Sequence, residues 1–256
     1  MDREHQQRLF DLTGRVAIVT GGTRGIGLAI AEGYVAAGAG VVVASRKPEA
    51  CLAAERHLVE LGGKAVGVPT HLGELDDLDR LVSATVERFG RIDILVNNAA
   101  NALTQPVGQF TPEAFAKSFD VNVRGPVFLS QAALPHLIES GNGAILNIVS
   151  AGAYLFSGDV AMYSAGKAAM VSFTKSFAAA LAPQGVRVNA LAPGPVDTDM
   201  VRHNPQEFVD AMAASTLQRR IASADEVVGA ALLLTSDAGS FITAQTVGVD
   251  GGLVPR

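Results

Sequence analysis

Seven short apolar runs, separated by longer stretches with helical spacing, leave few folds open to this chain. The runs cover residues 16–20, 41–45, 65–70, 94–98, 144–150, 186–192 and 246–249, and most are rich in Val, Ile and Ala. Between them, segments such as 25–37, 75–89, 112–138 and 162–181 place apolar residues three and four apart, the period of a helix that buries one face. Pro183 and Gly185 supply a stop after the last of these. Such alternation marks repeated βαβ units, in which parallel strands are covered by helices on both faces. The composition suits that plan. Apolar residues make up 48 % and charged residues only 18 %, and a doubly covered sheet absorbs such an excess. At 256 residues, with no repeat or linker, the chain reads as one domain over 1–256.

Several function classes drop out on the same grounds. No apolar run approaches the roughly 18 to 20 residues of a membrane-spanning helix, and the polar first eight residues lack the apolar centre of a secretory signal. Cys51 is the only cysteine, so neither an internal disulfide nor a cysteine-based zinc site is available. With a net charge of -5 and no basic tract, bulk electrostatics offers nothing to a polyanion. We therefore expect a cytoplasmic protein with no metal, no membrane and no nucleic acid among its partners.

The first strand runs into Thr20-Gly21-Gly22-Thr23-Arg24-Gly25-Ile26-Gly27, and a helical run begins at Leu28. Glycines there let a pyrophosphate approach the amides at a helix start, where the helix dipole favours negative charge. No Gly-Lys-Ser/Thr follows, which argues against a nucleotide-hydrolysing P-loop. Domains that bind NAD usually carry an acidic residue about 20 positions further on, where it bonds the ribose hydroxyls. Here that place reads Ser45-Arg46-Lys47. Ser45 would not repel a 2'-phosphate, and Arg46 together with Arg24 could clamp one, so NADP(H) is expected ahead of NAD(H). The alternative is that Arg46 and Lys47 form an ordinary solvated loop.

Tyr163 and Lys167 stand four apart in a helical segment and so share one face. A cation held near a phenol favours the phenolate and lowers a pKa that is ordinarily about 10, making a proton donor and acceptor available near neutrality. Ser150 ends the fifth strand, where its hydroxyl could bond a substrate oxygen. Taken alone, a Y-x-x-x-K pair is usually just part of a helix surface, and only the neighbouring motifs reverse that reading. Residues 194–221, with Asn204-Pro205 in their middle, are too long for an ordinary connection and read as a lid.

Together these residues resemble the short-chain dehydrogenase/reductase family along nearly the whole chain. Thr20-Gly21-x-x-x-Gly25-x-Gly27 matches its cofactor turn and Asn97-Asn98-Ala99 its sheet-stabilising segment. Asn122 matches its helix asparagine, Ser150, Tyr163 and Lys167 its catalytic group, and Pro193-Gly194 with Thr198 its nicotinamide segment. The resemblance implies a single-domain α/β Rossmann fold, a doubly wound seven-stranded parallel sheet, that moves a hydride between NADP(H) and a carbonyl or secondary alcohol. Tyr163 would be the general acid and base, Ser150 would hold the substrate oxygen, and Lys167 would lower the tyrosine pKa and bond the nicotinamide ribose. Asn122 would hold a water linking Lys167 to solvent. The cofactor contacts implied are Gly21, Thr23, Arg24, Gly25, Ile26 and Gly27 in the turn, then Ser45, Arg46, His71, Leu72, Asn98 and Ala99. Pro193, Gly194, Val196 and Thr198 complete them, with Tyr163 and Lys167.

The chain departs from the family pattern at Ala100, where glycine is common, at His71, where an aspartate often stands, and at Gly166 inside the catalytic helix. Gly166 suggests close packing there. The pocket expected from Ala151, Ala153, Tyr154, Phe156, residues 101–104 and the lid around Met200 to Met212 is largely apolar. It favours a neutral substrate unless Arg202, Arg219 or Arg220 turns inward. The small residues of 165–182 suit helix pairing between subunits, and the family commonly forms homotetramers. A non-catalytic NADP-binding sensor or scaffold is the rival reading.

Overall fold

The computed structural model describes residues 2–156 and 158–254. Residues 1, 157, 255 and 256, which the expected domain 1–256 includes, lie outside the described residues. In chain order the elements begin α1 (Arg3–Arg8), β1 (Val16–Thr20), α2 (Gly25–Ala36), β2 (Gly40–Ser45), α3 (Pro48–Glu60) and β3 (Lys64–Pro69). Next come α4 (Leu75–Phe89), β4 (Ile94–Asn97), α5 (Pro112–Phe119), α6 (Gly125–Glu139), β5 (Gly143–Ile148) and α7 (Ala161–Leu181). The chain closes with β6 (Val186–Pro193), α8 (Asp199–Arg202), α9 (Gln206–Ser215), α10 (Val228–Thr235) and β7 (Thr246–Val249).

The seven strands form one parallel sheet in the order β3-β2-β1-β4-β5-β6-β7. Successive side chains on a strand point to opposite faces, and the two cores follow that period. Ala17 and Val19 join Val41, Val43, Ile94 and Val96 beneath α2, α3 and α10. Ile18, between them, joins Val42, Leu95 and Ile145 on the other face, under α4, α6 and the end of α7. This two-sided burial is why the strands read as continuous apolar runs rather than alternating ones.

The strand order reverses direction at β1. To one side the chain winds through β2 to β3, and to the other through β4 to β7. The helices after β1 and β4 therefore leave on opposite faces, and the crevice between them lies at the carboxyl ends of the strands.

Two sequence expectations need correction. The helix expected over 112–138 is interrupted by a π-helical turn, Asp120–Arg124, between α5 and α6. Pro126 accounts for the break, because it has no N–H to donate to the carbonyl four residues back, at Asn122. The 194–221 segment is also less irregular than expected, since it carries α8 and α9. No helix of the described residues is long and apolar enough to cross a membrane.

Candidate active site

At the end of β1 the chain is tied down before the first helix starts. Thr20 is buried, and its hydroxyl donates to the Val96 carbonyl at 3.2 Å while accepting from the amides of Asn98 and Ala99 at 3.0 and 3.1 Å. Asn98 returns the contact, its Nδ2 donating to the carbonyls of Thr20 (2.8 Å) and Gly21 (3.2 Å). The turn after β1 and the segment after β4 are thus one hydrogen-bonded unit.

Its glycines are needed for close approach. Gly21 has φ of +64°, and a Cβ there would meet the Ala99 Cα at 2.9 Å; a Cβ on Gly27 would lie 2.3 Å from the Gly21 carbonyl oxygen. The start of α2 has no side-chain cap, since its N-cap residue Arg24 makes no such bond. Its first amides are free to donate to an anion. A glycine cradle around an uncapped helix start fits the pyrophosphate of a dinucleotide. Ser45 ends β2 and Arg46 follows it; the Ala44 carbonyl of that strand accepts from the Gly21 amide at 2.7 Å, so Arg46 stands exposed at the rim of the same turn.

Across the crevice, β5 and α7 assemble the chemical group. Ser150 lies two residues beyond β5, its hydroxyl accepting from the Gly152 amide at 3.0 Å, and it is hydrogen-bonded to the Tyr163 hydroxyl. Lys167 is buried and donates through Nζ to the Ile148 carbonyl at 2.7 Å, at the end of β5. That Nζ sits 5.5 Å from the centroid of the Tyr163 ring. The one-turn spacing on α7 thus brings the phenol and the amine to one spot, with a strand end placing the serine opposite.

The electrostatics differ from the sequence expectation. Burial pushes the Tyr163 hydroxyl above its ordinary value, and the bond with Ser150 offsets only part of the shift. Burial likewise disfavours the Lys167 ammonium, whose pKa falls to about 8. Both shifts have the same cause, the loss of water around a charge, and here it outweighs the depression of the phenol that a neighbouring cation was expected to produce.

Asn122 lies in the π-helical turn, fully engaged. Its Nδ2 donates to the Asn101 carbonyl at 2.8 Å and to the Ser118 hydroxyl at 3.3 Å, and its Oδ1 accepts from the Asn101 amide at 3.2 Å. Its amide thus anchors the loop after Asn98 to the turn. A Cβ on Gly166 would come 3.2 Å from the Asn122 Cβ, so glycine at that point of α7 is what lets the two elements meet.

The remaining expected contacts line the crevice to either side. Leu72 is buried beside His71, whose Nδ1 accepts from the Gly73 amide at 3.1 Å, leaving Nε2 as the ring atom available for other bonds. Gly194 follows Pro193 at the end of β6, and its amide donates to Val249 at 3.0 Å. Val196 is buried and bridges to Ala222, and Thr198 lies where a Cβ on Gly25 would touch it at 3.1 Å. Thr23 and Ile26 are partly buried in the turn.

The arginines of the expected lid are held locally. Arg202 is paired with Asp197, Arg220 with Glu226, and Arg219 bonds to the Ala214 carbonyl. The side chain with no signal in the sequence is Asp199, which pairs with Arg24 at 3.0 Å from 175 residues away. Among the described residues no group of three or more His, Cys, Asp or Glu could hold a metal ion.

Comparisons with known proteins identify the family. The profile of a family described as enoyl-(acyl carrier protein) reductase matches residues 21–254. Dehydrogenase/reductase SDR family member 4 of Homo sapiens is 36 % identical over 248 residues, which cover 96 % of this chain and 89 % of its own. Galactitol 2-dehydrogenase of Agrobacterium fabrum is 37 % identical over 253 residues, 94 % of this chain and 98 % of its own. Among solved structures, a gluconate 5-dehydrogenase from Burkholderia cenocepacia J2315 in complex with NADP and tartrate superposes with a TM-score of 0.92 at 35 % identity. That match covers 97 % of this chain and 98 % of the other. The family profile and these relatives match almost the whole sequence, and the chain belongs to the short-chain dehydrogenase/reductase family of oxidoreductases.

Proposed function

We propose that this protein is an NADP(H)-dependent oxidoreductase that interconverts a carbonyl compound and a secondary alcohol, with Tyr163 as general acid and base. The observation that carries the reading is the meeting of Ser150, Tyr163 and Lys167 across the crevice from the uncapped start of α2. The nicotinamide cofactor, when bound, supplies or accepts the hydride. Every other task falls to the chain. Ser150 and Tyr163 each present a hydroxyl to the substrate oxygen, and Tyr163 gives up its proton in reduction or takes one in oxidation. The raised pKa keeps Tyr163 protonated, and so ready to donate, at neutral pH. Lys167, still largely charged at neutral pH with a pKa of about 8, stabilises the phenolate left behind. Its ammonium also has donors to spare for a ribose hydroxyl. Asn122 fixes Asn101 beside the pocket and keeps α7 close to the π-helical turn, a place from which to hold the water expected to join Lys167 to solvent.

Arg24 and Arg46 support NADP(H) over NAD(H), because both are exposed cations at the rim of the turn and no carboxylate follows β2 directly. The related gluconate 5-dehydrogenase was solved with NADP. Local engagement of all three lid arginines supports a neutral substrate, with Ala151, Ala153, Tyr154, Phe156 and Met200 around it and residues 194–221 as its lid. The exposed small residues of α7, Ala165, Ala168, Ser172 and Ala179, support a homotetramer that packs through this helix. A non-catalytic sensor would carry the cost of a buried ammonium with no return.

Screening ketones, aldehydes and alcohols by NADPH absorbance identifies a substrate. On that substrate Tyr163→Phe is expected to lower kcat by at least about 100-fold while leaving the Kd for NADPH within about twofold. Full turnover by the variant rejects the mechanism.

A further inference from the structure

The ion pair between Arg24 and Asp199 joins the glycine turn to the first helix of the lid, and the hydride chemistry makes no use of it. Arg24 Nη1 lies 3.0 Å from Asp199 Oδ2. Asp199 opens α8, and Thr198 just before it stands 3.1 Å from where a Cβ on Gly25 would be, so the lid starts against the turn itself. Arg202, the nearby cation on α8, has both arms of its fork on Asp197, at 2.6 and 2.8 Å. The Asp199 carboxylate is therefore bonded across the crevice, to Arg24, rather than to its own helix.

We propose that Asp199 is a specificity-determining residue that competes with the cofactor's 2'-phosphate for Arg24 and so limits the preference for NADPH over NADH. This inference rests on the NADP(H) reading above. A guanidinium binds one planar oxyanion well through its fork, and a carboxylate and a phosphate dianion on the same fork repel each other. A 2'-phosphate must therefore take Arg24 from Asp199. The 2'-hydroxyl of NADH makes no demand on Arg24 and meets no such opposition. Because Arg24 is 75 % exposed and Asp199 47 %, the competition is modest, and freeing Arg24 is worth a factor of about two to five.

Fluorescence titrations of NADPH and NADH at 0.15 M salt (on the order of physiological ionic strength) test it, using the full chain and the variants D199N, D199E, R24M, R46M and D199N/R24M. D199N is expected to tighten NADPH about two- to fivefold with NADH unchanged, and D199E to keep the parent ratio. On top of R24M, D199N should do nothing further. NADPH affinity that is unchanged or weaker in D199N, or an equal shift for both cofactors, overturns the role of Asp199. The NADP(H) reading fails differently, through R24M and R46M leaving the NADPH to NADH ratio where the parent has it. A ratio that falls in R24M yet does not rise in D199N rejects the competition alone.

Discussion

Lys167→Met should stabilise the fold at neutral pH while abolishing catalysis, and the effect should reverse in alkali. The pKa of Lys167 falls from 10.5 to about 8 because the amine is buried. Below about pH 8 the group is protonated in both the folded and unfolded chain, so the burial cost is complete there. Between about pH 8 and 10.5 the folded protein can bury a neutral amine while the unfolded chain still binds the proton, so the cost shrinks as pH rises, and above 10.5 it is gone. At about 1.4 kcal/mol per pH unit the whole gap amounts to about 3 kcal/mol. Methionine fills a similar volume without charge, but the Nζ bond to the Ile148 carbonyl is lost, which gives back about 1 to 2 kcal/mol.

The variant is thus expected to be about 1 to 2 kcal/mol more stable than the parent at pH 7. That lead should fall with a slope approaching about 1.4 kcal/mol per unit between pH 8 and 10. Urea unfolding followed by circular dichroism at several pH values, with chain concentration held fixed, measures the difference between the two proteins. All other titrating groups cancel in that difference, and a packing error adds a constant without changing the slope. A difference that stays flat from pH 7 to 10 would show that Lys167 remains charged throughout, and the reasoning from burial would be refuted.

Other expectations test the scaffold under the site. Gly27→Ala places a methyl 2.3 Å from the Gly21 carbonyl oxygen and should cost about 1 to 3 kcal/mol and most of the cofactor affinity, read by thermal melting and NADPH titration. Asn147→Ala removes the acceptor of Asn97 Nδ2 (2.9 Å) and the donor to Thr174 (2.9 Å) in a buried chain of side chains. A loss of about 2 to 3 kcal/mol is expected in urea unfolding, and a change under about 0.5 kcal/mol would mean the chain holds nothing together. Gly166→Val should push the π-helical turn off α7 and lower kcat, with little change in the Kd for NADPH, because the clash falls on Asn122 and Val123 rather than on the glycine turn. A light-scattering mass equal to one chain would overturn the tetramer.

How far the molecule was legible in its sequence follows from the range of the forces involved. The inner strands were readable because burial on both faces demands unbroken apolar runs, and β1, buried throughout, lies where its run lies. The Tyr163 and Lys167 pair was readable because helical spacing alone puts the two side chains together. The π-helical turn had a local cause in Pro126, but a proline near a helix start is tolerated too often to reveal a break by itself. α10 had a clearer flag, the capping box of Ser223 and Glu226 ahead of it. Asp199 had none. Its pairing with Arg24 spans 175 residues and exists only because β1 and β6 deliver their carboxyl ends to the same crevice. The pKa shifts belong to the same class, since desolvation is set by how many atoms the whole fold gathers around a group. Spacing could announce that a phenol and an amine meet, but not that burial would govern them both. The electrostatic balance of this site is a property of its depth, and a surface Y-x-x-x-K pair of identical sequence would not share it.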